Sequence, residues 1–439
     1  MKQCKMLLMV GMLALLIVGC KKNLVSETVN TPAITKNITI AEPASTAAID
    51  TETMQSPDLE TPETETPLII TDQGVMEGMS KDILNNMTLE EKIGQLFIVN
   101  FENLDKSKGS YYEFRKITNK MEKNMQKYHI GGVIFFSRNI ENIEQTKTFI
   151  EELQENSRIP LFISVDEEGG EVARIANNSN MNTTKFPTME EIGASEETEY
   201  AYEMGVTIGK EIKELGFNLN FAPVADVKTN EKNTEIGSRS FGSDEKVVSK
   251  MVANVVKGLQ EQGVSSAVKH FPGQGSTDGD THQDVVNLES NLMKLRAVDF
   301  LPFQAGIKAG ADFVMVSHVS VSRVSGTTEP ASLCSVVMKQ MLREELEFNG
   351  IIITDAMDMK AITKKYAAKE AAVKAITEGA DMVLMPEDIE QAYNGIMEAV
   401  KSGNISEKEI DKSVKKIIKT KIRRGIITGD TSLIYNNRK

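Results

Sequence analysis

SSAVKHFPGQGSTDGDTH, Ser265 to His282, runs from an apolar strand-like stretch straight into a loop of ionisable and glycine residues. Ser265 to His270 has the short, near-continuous apolar pattern of a strand covered on both faces, as in a parallel sheet. The loop after it holds Asp280 and His282. An aspartate two positions before a histidine can hold one imidazole nitrogen, fix the tautomer and leave the other nitrogen for proton transfer. By itself such a pair is also what a solvated turn contains, so its meaning depends on the strands around it.

Seven further runs share the strand pattern: Leu96 to Phe101, Gly132 to Phe136, Leu161 to Asp166, Leu219 to Val224, Phe313 to His318, Ile351 to Asp355 and Met382 to Pro386. Amphipathic helical stretches lie between most of them, for example Glu144 to Asn156, Lys246 to Gln262 and Glu370 to Glu378. Thr88-Leu89-Glu90-Glu91 has the form of a capping box, and Ile405 to Ile427 reads as a final helix. Eight strands alternating with helices predict an α/β protein, a (β/α)8 TIM barrel; an open doubly wound sheet is the rival. Asp166, Lys269, His270, His318 and Asp355 all end predicted strands, and in a barrel that rim is where an active site forms.

The string KHFPGQGSTDGDTH resembles the signature of glycoside hydrolase family 3, in the branch of the β-N-acetylglucosaminidases. The spacing matches throughout, with Gln274 standing where that branch has a histidine. MTLEEKIGQLF (Met87 to Phe97), DEEGGEVARI (Asp166 to Ile175), LNFAPVADV (Leu219 to Val227), IGSRSFGSD (Ile236 to Asp244) and TDAMDM (Thr354 to Met359) extend the resemblance. It implies a retaining glycosidase with Asp355 as nucleophile, Asp358 being the competing carboxylate in the same motif. It implies His282, oriented by Asp280, as the proton donor and acceptor, in place of the second carboxylic acid that most retaining glycosidases use. It also implies that Asp166, Arg174, Arg239, Lys269 and His270 hold the terminal sugar, with Asp226 and His318 as further candidates. Glu171 replaces an arginine common in the family string. Many relatives carry a second α/β domain; here every catalytic group is expected from one barrel.

The implied activity is an exo-acting β-N-acetylhexosaminidase that removes terminal N-acetylglucosamine from peptidoglycan fragments or chitooligosaccharides, with no cofactor and no metal. Alternatives are a β-glucosidase or β-xylosidase, or a phosphorylase of the same family. A metal-dependent barrel hydrolase using His270, His282, His318 and Asp355 is a further rival, as is a non-catalytic sugar-binding lipoprotein. The chain has no tryptophan, which disfavours long stacking platforms and favours short substrates gripped at one end. The glycines of the His282 loop (Gly273, Gly275, Gly279) suggest a segment that closes over substrate.

Composition sets the remaining bounds. The 439 residues are 40% hydrophobic and 26% charged, with a net charge of -13, which argues against nucleic-acid binding. Lys2 and Lys5 precede an apolar run, Met6 to Val18, that is short for a membrane span. Ile17-Val18-Gly19-Cys20 resembles a bacterial lipobox, so residues 1–19 are expected to be a signal peptide and Cys20 the lipidated anchor. Residues 20–78 read as a Thr-, Glu- and Pro-rich tether, and 79–430 as the catalytic domain. The expected state is a monomer held by lipid on the outer face of the cell membrane. Of Cys4, Cys20 and Cys334, only Cys334 is left as a thiol, so no disulfide within the mature chain is expected; it reads as a small buried hydrophobe.

Overall fold

A computed structural model describes residues 72–428, Asp280 excepted. The expected signal peptide, Cys20 and most of the expected tether therefore lie outside the described residues. Eight parallel strands form one sheet: β1 (Phe97–Val99), β2 (Gly132–Phe135), β3 (Phe162–Val165), β4 (Leu219–Asn220), β5 (Ser265–Phe271), β6 (Phe313–Val316), β7 (Ile351–Thr354) and β8 (Val383–Leu384). Each lies within or overlaps one of the eight runs read from the sequence. The sheet closes on itself. Phe97 pairs with Val383 across β1 and β8, and Ile353 bridges to Met382 at the other side of the seam. The strands are buried along their whole length, as expected when helices cover the outside and packed side chains fill the interior.

The helices named in the sequence fall close to their expected bounds: α2 (Ile143–Glu155) after β2, α3 (Glu245–Glu261) after β4, and α4 (Ala368–Glu378) after β7. The final helix, α5 (Glu407–Arg423), opens with a capping box between Ser406 and Glu409. The expected box at Thr88 is present too: Thr88 N–H donates to Glu91 at 2.8 Å, and Glu91 N–H to the threonine hydroxyl at 3.3 Å.

The folded body begins earlier than the expected residue 79. A first helix, α1 (Gln73–Asn85), is capped by Asp72, whose carboxylate accepts from Val75 N–H at 2.9 Å. Its two glycines and its weak apolar stripe hide it in the sequence. It is held from outside, because Glu77 pairs with Lys415 and Lys419 of α5. The far end of α5 covers the N-terminal ends of the strands. Lys421 is fully buried and donates to Gln95 Oε1 at 2.8 Å and to the Gly131 carbonyl at 2.9 Å. Burial drives its ammonium well below the ordinary lysine pKa. Arg423 and Arg424 pair with buried Asp312 at the start of β6. This end of the barrel is thus an ionic plug, and the open end lies at the strands' C-termini.

Candidate active site

The residues at the C-terminal ends of β3, β5 and β7 meet in one cavity of about 880 Å³, whose wall includes Asp166, Arg174, Lys269, His270, His282 and Asp355. Arg239 and Glu168 also line it. The strands explain this convergence. Each of these side chains sits on, or a few residues past, a strand whose direction is set by its two neighbours, or on the loop that such a strand feeds.

The cavity floor is an ionic cluster. The ammonium of Lys269 sits between Asp166 Oδ1 at 2.7 Å and Glu168 Oε1 at 2.6 Å. Arg239 grips the same Glu168 with two hydrogen bonds, Nε to Oε2 at 2.9 Å and a terminal nitrogen to Oε1 at 2.8 Å. Burial opposes the charge on Glu168, but Arg239 and Lys269 overcome it and hold the carboxyl far below its usual range. Arg174 stands 3.8 Å from Asp166 Oδ2. Glu168 was not among the residues singled out in the sequence. The signal was present in Asp-Glu-Glu, but nothing local says which of three adjacent acids turns inward. A short hairpin decides it. Glu167–Gly169 pairs antiparallel with Val172–Ala173, and Glu167 turns away to accept the N–H groups of Ile175 at 2.8 Å and Ala176 at 3.0 Å.

His270 is oriented from behind. Asp226 accepts from its Nδ1 at 2.7 Å, from its backbone N–H at 3.1 Å and from Gln274 N–H at 2.7 Å. A carboxylate can only accept, so Nδ1 carries a proton and points away from the cavity towards Asp226. Asp226 is fully buried, so it positions His270 and lies outside the cavity wall.

Asp355 follows β7. Burial by itself would raise its pKa, but the imidazoles of His270 and His318, the Ala356 N–H and Lys269 outweigh this and hold the carboxyl below the ordinary aspartate value. Its Oδ1 accepts the Ala356 N–H at 2.8 Å. Asp358, the competing carboxylate, lies in the same cavity but is pushed the other way, to about 6, by desolvation first and then by the charges of Asp355 and Glu102. At neutral pH both aspartates can ionise, yet only Asp355 stays anionic in mild acid.

His318 departs from the expectation that it touches sugar. It is fully buried and is absent from the cavity wall. Its Nε2 donates to the Ala356 carbonyl at 2.9 Å, and its Nδ1 lies 2.7 Å from the Ser332 hydroxyl. With both nitrogens engaged it braces the strand end that carries Asp355, and burial lowers its pKa towards the neutral form. This also separates the proposed metal-ligand set, and the described residues contain no group of three or more His, Cys, Asp or Glu arranged to hold a metal ion.

His282 reaches the same cavity as Asp355. Asp280, expected to orient it, lies outside the described residues. A second carboxylate that the sequence reading missed is close: Glu235, from the loop after β4, stands 3.6 Å from His282 Nδ1. Two glycines of the His282 loop are explained by close approach. A Cβ on Gly275 would fall 2.2 Å from the Val227 carbonyl, and Gly273 has φ +108° with Asp299 only 2.8 Å from where its Cβ would lie. The loop base is therefore packed, not hinged, at these positions. Of the two departures from the family string, Gln274 is buried, with its side-chain nitrogen 3.4 Å from Glu235, and Glu171 is exposed at the hairpin turn.

Comparison with known proteins agrees with the barrel fold. Residues 88–420 match the family model described as the glycosyl hydrolase family 3 N-terminal domain. The chain is 33% identical over 327 residues to beta-hexosaminidase A of Pseudoalteromonas piscicida, covering 68% of this chain and 54% of that protein. It is 34% identical over 265 residues to a beta-hexosaminidase of Hydrogenovibrio crunogenus, covering 59% and 72%. The solved structure of a family 3 beta-N-acetylglucosaminidase from a Paenibacillus species superposes with a TM-score of 0.73 at 35% identity, covering 78% of this chain and 64% of that one. The chain thus spans little more than half of one of these relatives.

Proposed function

The chain belongs to glycosyl hydrolase family 3, and from that premise we propose that it is an exo-acting, retaining β-N-acetylhexosaminidase. The observation that carries the reading is the presence of Asp355, held anionic, and His282 in one cavity above the Asp166–Lys269–Glu168–Arg239 cluster. Asp355 attacks the anomeric carbon while the bond to the leaving oxygen breaks, and protonated His282 gives its proton to that oxygen. A water then loses a proton to His282 and attacks the same carbon, which releases the Asp355 carboxylate. Glu235, 3.6 Å from Nδ1, steadies the imidazole, and the Asp280-Thr281-His282 spacing supports the same role for Asp280.

Asp166, Arg174, Arg239, Lys269 and His270 grip the terminal sugar through charge-assisted hydrogen bonds. N-acetylglucosamine is the proposed terminal unit, from peptidoglycan fragments or chitooligosaccharides. The names borne by the relatives support this choice of sugar. Asp355→Asn should lower kcat by several orders of magnitude on nitrophenyl N-acetylglucosaminide with the thermal midpoint little changed. Activity within tenfold of wild type would remove Asp355 from the nucleophile's role. For location we propose a Cys20 lipid anchor, supported by Lys2, Lys5 and the lipobox-like string. Cys20→Ala should move the protein from the detergent to the aqueous phase on phase separation, and an unchanged partition would exclude the anchor.

A further inference from the structure

The cavity continues beyond the groups assigned to the terminal sugar. Its outer wall includes Tyr111, from the segment after β1, and Phe136 and Arg138, from the end of β2. Tyr111 is 79% exposed, and its φ is +61°. That is the left-handed region, where a bulky side chain is disfavoured and where a functional reason is worth seeking. Core packing does not account for a phenol ring held in solvent by such a backbone.

The ring is backed by a ladder of stacked groups. The Arg138 guanidinium lies 5.5 Å from the Tyr111 ring centroid and 4.5 Å from that of Phe136. Two hydrogen bonds to Glu102, at 2.8 and 3.0 Å, fix its plane. Arg174 continues the ladder 5.9 Å from the Phe136 centroid and meets Asp166 at 3.8 Å. The series Tyr111, Arg138, Phe136, Arg174 therefore runs from the mouth of the cavity to the ionic floor. Each step is short enough for cation–π attraction, so the outer ring is steadied by the groups beneath it.

We propose that Tyr111 is the platform of a second subsite on the leaving-group side, which takes the apolar C–H face of the pyranose that departs. This rests on the reading of the site as an N-acetylhexosaminidase. With the terminal sugar held over the floor, the rest of the substrate leaves through the open mouth, where Tyr111 presents its face. In a chain without tryptophan, a tyrosine fixed in this way supplies the aromatic surface. The enzyme therefore favours a sugar over a small alkyl group as its leaving group.

The test is a titration of the Asp355→Asn protein with N-acetylglucosamine and with its β-1,4-linked disaccharide. The disaccharide should bind more tightly. Adding Tyr111→Ala should cut that preference roughly tenfold, the size of one good aromatic contact, and Tyr111→Phe should restore it. If both sugars bind and the preference is the same with Tyr111→Ala, the subsite is refuted and the functional reading stands. If neither sugar binds, and wild type does not cleave nitrophenyl N-acetylglucosaminide, both are refuted.

Discussion

Glu235 Oε1 stands 3.6 Å from His282 Nδ1, and the same carboxylate takes the backbone N–H of Thr281 at 3.0 Å and the threonine hydroxyl. The backbone carbonyl of Glu235 also accepts from Arg239 at 3.1 Å. One residue on the loop after β4 thus links the His282 loop to the cluster on the cavity floor.

If His282 moves the proton, its loss matters most when the leaving oxygen is basic. His282→Ala should therefore cleave a disaccharide far more slowly than wild type. Its first step on a nitrophenyl glycoside should suffer less. Glu235→Gln should show the same dependence on leaving group in milder form, with about a tenfold loss on the disaccharide, because it loosens the imidazole without removing it. Steady-state and burst kinetics on both substrates check this. Equal losses on both would make His282 a sugar ligand.

Glu168→Gln leaves Lys269 and Arg239 buried with less compensating charge, at a cost of about 3–5 kcal/mol. The folded-state pKa of Glu168 lies below its ordinary 4.5. Its stabilisation is therefore fully present above that value and is lost only as pH falls through the folded pKa. Thermal midpoints of wild type and variant should differ by a constant gap from about pH 5 to 8, and the gap should close in stronger acid. A gap that widens on acidification contradicts the assignment.

Asp299 closes a wide helical turn, Leu295–Asp299, beneath Gly273. It is fully buried, and neither carboxylate oxygen has a hydrogen-bond partner among the described residues. Burial pushes its pKa up from 3.8 to about 7, with Lys294 lowering it and Asp226 raising it. A raised carboxyl destabilises the fold progressively as pH rises from the unfolded to the folded value. Asp299→Asn should therefore gain stability relative to wild type between about pH 5 and pH 8, by a few kcal/mol. Denaturant unfolding at the two pH values reads this, and a difference independent of pH would show that Asp299 does not titrate.

The strand runs were legible because a buried parallel strand needs an unbroken apolar stretch, and each such stretch is local in the chain. Asp166, Lys269, His270 and Asp355 were legible with them, because a strand end in a barrel points to the rim. Position at a strand end did not say what a side chain meets there. His318 shares that position yet is spent on Ser332 and the Ala356 carbonyl.

Glu168 and Glu235 became visible only in three dimensions. Glu168 meets Arg239, 71 residues away, and Glu235 meets Thr281, 46 residues away. Helix α1 likewise depends on lysines more than 300 residues later in the chain. Periodicity and caps are set by neighbours a few positions apart, so the sequence by itself determined the barrel and its rim. Which acid neutralises which cation depends on how loops from different strands pack together, and only the tertiary structure decided that.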